Sequence, residues 1–166
     1  NVNKWGNALT DLSLTPGDRA LMVVKDCPEF YYLFWGSIKA GIIPVPLNTL
    51  LRAKDFAFII EDSGCRSVIY SSEFADEVEA ALDQVATKPA HVSMVAGIGE
   101  SAKTASAELS VISATAMSEC FWLYSSGTTG EPKGVVHVHR DIVATCELYA
   151  VRVLGEIEDD IWLSVP

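Results

Sequence analysis

Tyr124-Ser125-Ser126-Gly127-Thr128-Thr129-Gly130-Glu131-Pro132-Lys133-Gly134 sets four aliphatic hydroxyls, three glycines and one lysine in a single short stretch. Gly127, Gly130 and Gly134 carry no Cβ, so the backbone is free to take positive φ and turn its amides toward an anion. Ser125, Ser126, Thr128 and Thr129 add rotatable donors that can follow phosphate oxygens or touch a Mg²⁺ that shields them. Lys133 supplies the fixed positive charge, and Pro132 disfavours helix through Glu131, holding the lysine on a stiff turn. The set reads as a cradle for a polyphosphate. An ordinary polar hairpin loop uses the same residue types, but a plain turn does not need so many donors beside one lysine.

Working outward, Phe121-Trp122-Leu123-Tyr124 precedes the loop and Val135-Val136-His137-Val138-His139 follows it, both rich in β-formers. The loop is therefore expected to join two strands. A P-loop is disfavoured, because that motif needs Gly-Lys-Ser/Thr running into a helix, whereas Lys133 is followed by Gly134 and an apolar alternating run.

On these residues the chain resembles the adenylate-forming superfamily of acyl- and aryl-CoA ligases, luciferases and adenylation domains. A second stretch in the right order, Ile38-Lys39-Ala40-Gly41-Ile42-Ile43-Pro44-Val45-Pro46-Leu47-Asn48, is similar to that family's Ala-Gly and Pro-Leu-Asn elements. Trp122 to Gly127, Val135 to Arg140 and Leu47 to Leu51 look most like benzoate-type CoA ligases. The departure at Ser125, where many relatives carry Thr, keeps the hydroxyl. The resemblance implies an α/β fold, a mostly parallel sheet flanked by helices, forming part of the large N-terminal domain of such an enzyme. It implies ATP, Mg²⁺ and coenzyme A as cofactor and co-substrates and a small carboxylic acid as partner, aromatic such as benzoate where the likeness to the benzoate-type ligases is followed. The ATP contacts it implies are Ser125, Ser126, Gly127, Thr128, Thr129, Gly130 and Lys133, with Lys133 and Thr128 the catalytic candidates. Lys133 would position phosphates rather than act as a base.

Composition agrees with one globular domain: 166 residues, 49% of them hydrophobic, are enough for a real core. The formal charge of −10, from 12 Lys and Arg against 22 Asp and Glu, argues against a nucleic-acid partner, for no basic stripe is available to neutralise phosphates. Cys27, Cys65, Cys120 and Cys146 form no C-x-x-C pair, so reduced packing thiols and a cytoplasmic location are expected. No apolar run approaches a bilayer-spanning length.

The chain alternates helical and strand periods. Helices are expected over 1–12, from Pro28 to a stop at Gly41, over 52–62 and over 74–85. Strands are expected over 20–24, 42–47, 67–70 and 92–96. Pro44 and Pro46 place 42–47 at a sheet edge or a strand end rather than at the sheet centre. The β–α–β order implies a mostly parallel sheet. Residues 97–118, rich in Ala, Ser, Gly and Glu, are expected to be a surface excursion, a linker being the alternative, with the strands on either side in one sheet. Ile161 to Val165 reads as a further strand. The start without Met and the end on that strand suggest the opening part of a longer enzyme, with the acyl pocket, ribose site and catalytic C-terminal lysine beyond it. Such a fragment is expected not to catalyse the full reaction alone, and its exposed apolar surface could self-associate.

Other residues attract weaker readings. His137 and His139, at strand spacing, could ligate a metal or line the acyl pocket, but no third ligand is in view; a structural role for His139 is favoured and no metal site is assigned. The aromatic cluster Phe30, Tyr31, Tyr32, Phe34 and Trp35 has core-like helical spacing. Glu158-Asp159-Asp160 reads as a solvated charge run. Three functions stay open: an ATP-dependent acid-CoA ligase, an adenylation module that loads a carrier protein, and a non-catalytic nucleotide-binding module.

Overall fold

A computed structural model describes residues 1–126 and 131–161. Four strands, β1 (Arg19–Val23), β2 (Ile43–Pro46), β3 (Ser67–Tyr70) and β4 (His91–Met94), form a fully parallel sheet in the order β2-β1-β3-β4. Helices α1 (Val2–Asp11), α2 (Pro28–Ala40), α3 (Ala53–Ser63), α4 (Ala75–Leu82) and α5 (Val95–Thr104) cover it.

Strand alternation divides the core in two. Leu21 and Val23 of β1, with Val68 and Tyr70 of β3, point into a cluster with Phe56, Ile59 and Ile60 of α3 and Val78 of α4. Ala20 and Met22 of β1, with Ile69 of β3, point the other way against Trp5 and Leu9 of α1, Leu33 of α2 and Ile98 of α5. Because both faces are covered, the strands read as near-continuous apolar runs. Helices α1 and α2 meet backbone to backbone at Gly6 and Gly36, where a Cβ on Gly36 would lie 2.8 Å from the Gly6 nitrogen and 2.9 Å from the Val2 carbonyl oxygen. The sequence stop at Gly41 is a left-handed cap at φ 79°.

β2 is an edge strand, as its prolines suggest. The Ile43 and Leu47 amides donate to the Asp18 and Met22 carbonyls beside β1, so Pro44 and Pro46 turn their donor-less nitrogens outward. That edge cannot supply a full ladder. β5 (Glu119–Ser126) lies against β2 yet pairs antiparallel with β6 (Pro132–Val138) in a second sheet.

Several expectations need correction. The strands flanking 97–118 belong to two sheets rather than one. The first part of that stretch is helix α5, and it takes Val95 and Ala96 out of the expected strand. Val95, Ile98 and Ala102 recur at helical spacing and are buried; small residues between them masked the period, and Gly99 lies under the Trp5 ring. The rest, 105–118, is a surface excursion laced to the helices: Asn7 Nδ2 donates to the Ser106 and Glu108 carbonyls at 2.8 and 2.9 Å, and the Ile112 amide to Lys39. Tyr31 and Trp35 are about two-fifths exposed, 43% and 42%, while Phe30, Tyr32 and Phe34 pack on the core. Cys65 and Cys120 are buried, Cys27 is half-buried and Cys146 is exposed, so not every cysteine is a packing residue.

After β6 the chain enters α6 (His139–Thr145) and a π-type helix over Cys146–Leu154, which ends at left-handed Gly155 and buries no residue. Of the expected last strand, Ile161 is exposed and belongs to no strand, and 162–165 lie outside the described residues. Glu158, Asp159 and Asp160 are exposed.

Candidate functional site

The β5–β6 hairpin sets Ser125 directly across from Lys133, with Ser126 opposite Pro132 and Tyr124 opposite Gly134. The two strands therefore converge on the hydroxyl- and glycine-rich loop from both sides. Gly127, Thr128, Thr129 and Gly130 lie outside the described residues. Ser125 and Lys133 are exposed and share one face with the pairs Leu123–Val135 and Phe121–His137. Gly134 behaves differently from the sequence reading: it sits in the strand without positive φ. Its missing Cβ instead makes room for Tyr124, since a Cβ there would be 3.1 Å from the ring Cζ.

The opposite face of β5 carries Trp122 and Tyr124, which pack on the α3 side of the core. The Tyr124 hydroxyl donates to Asp62 Oδ2 at 2.6 Å. Burial first, then this bond to a carboxylate, pushes the phenol well above its ordinary value, so it stays protonated and donating. One residue on, Arg19 donates through Nε to the Ser63 carbonyl and at 3.2 Å to the Gly64 carbonyl, satisfying the end of α3. Its guanidinium carbon lies 5.5 Å from the Trp122 ring centroid, within cation–π range. Neither Asp62 nor Arg19 stands near the loop in sequence, and sequence reasoning missed both; the polar tip on Tyr124 was the available signal, because such a tip needs a partner when half-buried.

On the loop-side face, Phe121 stacks on His137 with centroids 4.6 Å apart and planes 9° apart, and meets Phe34 edge-on at 5.6 Å. His137 Nδ1 is 3.6 Å from Asp141 Oδ2, the oxygen that accepts the Val138 amide at 3.0 Å and caps α6. That cap ends the strand at Val138, so His139 opens a helix and does not share a strand face with His137. Among the described residues no group of three His, Cys, Asp or Glu side chains is placed to hold a metal.

The hairpin's tethers, Arg19 at the start of β1 and the last turn of α3, lie at the amino edge of the parallel sheet. A separate cleft opens at the carboxyl edge, lined in part by Trp5, Cys27, Tyr32 and Ser71 and spanned by the Lys25–Glu73 ion pair. The tethers of the β5–β6 hairpin thus lie at the end of the sheet opposite this cleft, which is where open parallel sheets ordinarily receive ligands.

The family profile for AMP-binding enzymes matches residues 1–166. The chain belongs to the AMP-binding enzyme family. It is 40% identical to a benzoate–CoA ligase of Thauera aromatica and 38% to a 4-hydroxybenzoate–CoA/benzoate–CoA ligase of Rhodopseudomonas palustris, over 98% of this chain in both cases. A long-chain-fatty-acid–CoA ligase, FadD13, of Mycobacterium tuberculosis is 34% identical over 99% of it. The structure of an anthranilate CoA ligase in complex with anthranoyl-AMP superposes with a TM-score of 0.89 at 31% identity, covering 96% of this chain and 31% of that one. A benzoate CoA ligase from Burkholderia xenovorans gives 0.83 at 30% identity over 96% of this chain and 32% of that one. The chain spans about a third of the length of the curated relatives it matches, 32% and 31% for the two benzoate ligases, and corresponds to their N-terminal part. Among the described residues no helix is long and apolar enough to cross a membrane.

Proposed function

We propose that this chain supplies the phosphate-holding portion of an ATP-dependent acid-CoA ligase acting on an aromatic carboxylate. The observation that carries the reading is the hairpin that sets Ser125 and Lys133 opposite each other at the base of the Ser126–Glu131 loop. Identities of 40% and 38% to benzoate ligases, against 34% to a fatty-acid ligase, support the aromatic acid. In this reading the chain is the opening portion of the AMP-binding domain, and the C-terminal domain is contributed by sequence outside it.

The reaction joins the acid to the α-phosphate of ATP with loss of pyrophosphate, and then passes the acyl group of that adenylate to the CoA thiol with release of AMP. Negative charge grows on the departing pyrophosphate. Amides of Gly127 and Gly130, hydroxyls of Ser125, Ser126, Thr128 and Thr129, and the Lys133 ammonium would hold the β- and γ-phosphates in line and stabilise that charge. Mg²⁺ supplies charge neutralisation when it accompanies the phosphates. A magnesium ion that keeps most of its shell from water and phosphate suits a chain whose nearby donors are hydroxyls rather than clustered carboxylates. The cytoplasm is the compartment this reading favours.

A second reading, transfer to a carrier protein, is supported by 32% identity over 94% of the chain to a fatty acid–acyl-carrier-protein ligase of Streptomyces coeruleorubidus. The test is benzoate-dependent exchange of pyrophosphate into ATP by the complete polypeptide. Lys133→Ala is expected to cut kcat/KM for ATP by about a hundredfold, the size of losing one charge-stabilising donor. Wild-type rates in that variant at low ATP would overturn the assignment, and a strict demand for a carrier-protein thiol in place of CoA would select the second reading.

A further inference from the structure

We propose that Asp62 is a positioning residue for ATP use, acting through Tyr124 to set the angle at which β5 and β6 enter the phosphate-facing loop. The inference rests on the reading of that loop given above.

Tyr124 adjoins Ser125 on one strand and lies across from Gly134, which adjoins Lys133 on the other. A single ring therefore touches the backbone beside both ends of the loop, and it does so closely: a Cβ on Gly134 would come within 3.1 Å of Cζ and 3.2 Å of the hydroxyl oxygen. The hydroxyl of that ring is tied at 2.6 Å to Asp62, 62 residues away in the chain. Ring and bond together link the loop's two stems to the end of α3.

Helix energetics does not explain the carboxylate. Asp62 falls in the last turn of α3, where a negative charge opposes the helix dipole and a basic residue is favoured. Asp62 is exposed, and among the described residues Tyr124 is its hydrogen-bond partner. A charge held at an unfavourable helix position, and engaged by the residue next to a substrate-binding serine, points to placement of that serine. Arg19 provides the second point of the same clamp: it binds the Ser63 and Gly64 carbonyls while lying against Trp122, two residues before Tyr124 on the same strand face. Two tethers on one face, added to the packing of β5 against β2, fix the orientation of the hairpin more closely than either alone.

The test uses the complete polypeptide, with KM for ATP and KM for benzoate measured separately by pyrophosphate exchange, and Tm measured in parallel. Tyr124→Phe, which keeps the ring on Gly134 and loses only the hydroxyl, is expected to raise KM for ATP about tenfold, as loss of a hydrogen bond to a charged group does. KM for benzoate is expected to stay within about twofold, since Tyr124 adjoins residues assigned to ATP and none assigned to the acid. Asp62→Ala should match Tyr124→Phe, the double variant should be no worse than either, and Asp62→Asn, which keeps an acceptor oxygen, should recover most of the loss. An unchanged KM for ATP in Tyr124→Phe overturns the proposal. So does an equal rise in both KM values accompanied by a lowered Tm, or additive effects in the double variant. If Asp62→Ala does not fold, Tyr124→Phe and Asp62→Asn decide alone. Loss of ATP use in Lys133→Ala together with a normal Tyr124→Phe removes only the positioning role, whereas a Lys133→Ala variant as active as its parent removes the loop assignment and the positioning role with it.

Discussion

The parallel sandwich and the β5–β6 hairpin with its helical tail are built on opposite terms. In β1 and β3 nearly every residue is buried, with helices on both faces, whereas β6 from Lys133 to Val136 is exposed and the tail from Cys146 to Leu154 buries nothing. The sandwich is held by apolar area removed from water. The hairpin is held by its own ladder and a few directed contacts: Tyr124 to Asp62, Arg19 to Trp122, Phe121 to Phe34. The difference teaches that the two regions answer to different measurements. Core substitutions should appear in unfolding free energy, and hairpin substitutions in how well a ligand is held.

The sharpest way to break the comparison is Phe56→Ala, which removes the largest of the fully buried side chains. It is expected to cost about 3–5 kcal/mol in urea unfolding; a loss within about 0.5 kcal/mol, the size of an ordinary surface change, would mean the sandwich core does not carry stability. Next comes pH. Burial pushes the Cys65 thiol up to about 11 from 9.0. A raised value means the folded state favours the neutral thiol, so this contribution is complete below about 9 and is lost as pH rises through about 11. The two-unit shift corresponds to roughly 2–3 kcal/mol. Cys65→Ala should flatten the decline between those pH values, and an unaltered profile in that variant would contradict it. Gly36→Ala drives a Cβ into the α1 backbone and is expected to cost about 1–3 kcal/mol. A neutral result by thermal unfolding would show that α1 and α2 can separate freely. Smallest is Leu123→Ala on the hairpin's exposed face, expected within about 0.5 kcal/mol of wild type. A core-sized loss there would erase the contrast.

Much of the fold was legible because burial leaves a period in sequence. Val2, Trp5 and Leu9 announce α1; Ser67 to Tyr70 is an apolar run with nowhere to be but a covered strand; Gly41 stops α2 and Pro44 and Pro46 mark the edge. α5 was not legible, since Ala, Gly and Ser between Val95, Ile98 and Ala102 look like loop until Trp5 is seen lying over Gly99. His139 was misread as strand because Asp141, two residues on, caps a helix there. At the site, the hairpin form around the loop was readable from β-formers on both sides, but the purpose of Gly134 was not: its small size answers to a ring across the ladder rather than to a bend in its own backbone.

Local chemistry, then, was settled by sequence alone: which residues offer hydroxyls, amides and charge in the Ser125–Lys133 stretch, and where helices and covered strands alternate as far as Tyr70, since both depend on neighbours within a few positions. Folding decided what depends on residues far apart in the chain. It placed the hairpin against the edge strand β2, outside the parallel ladder, and brought Asp62 and Arg19 to the strand that enters the loop. A hydrogen bond across 62 residues leaves no periodic trace in sequence, because its partners become neighbours only after the intervening helices and strands have packed.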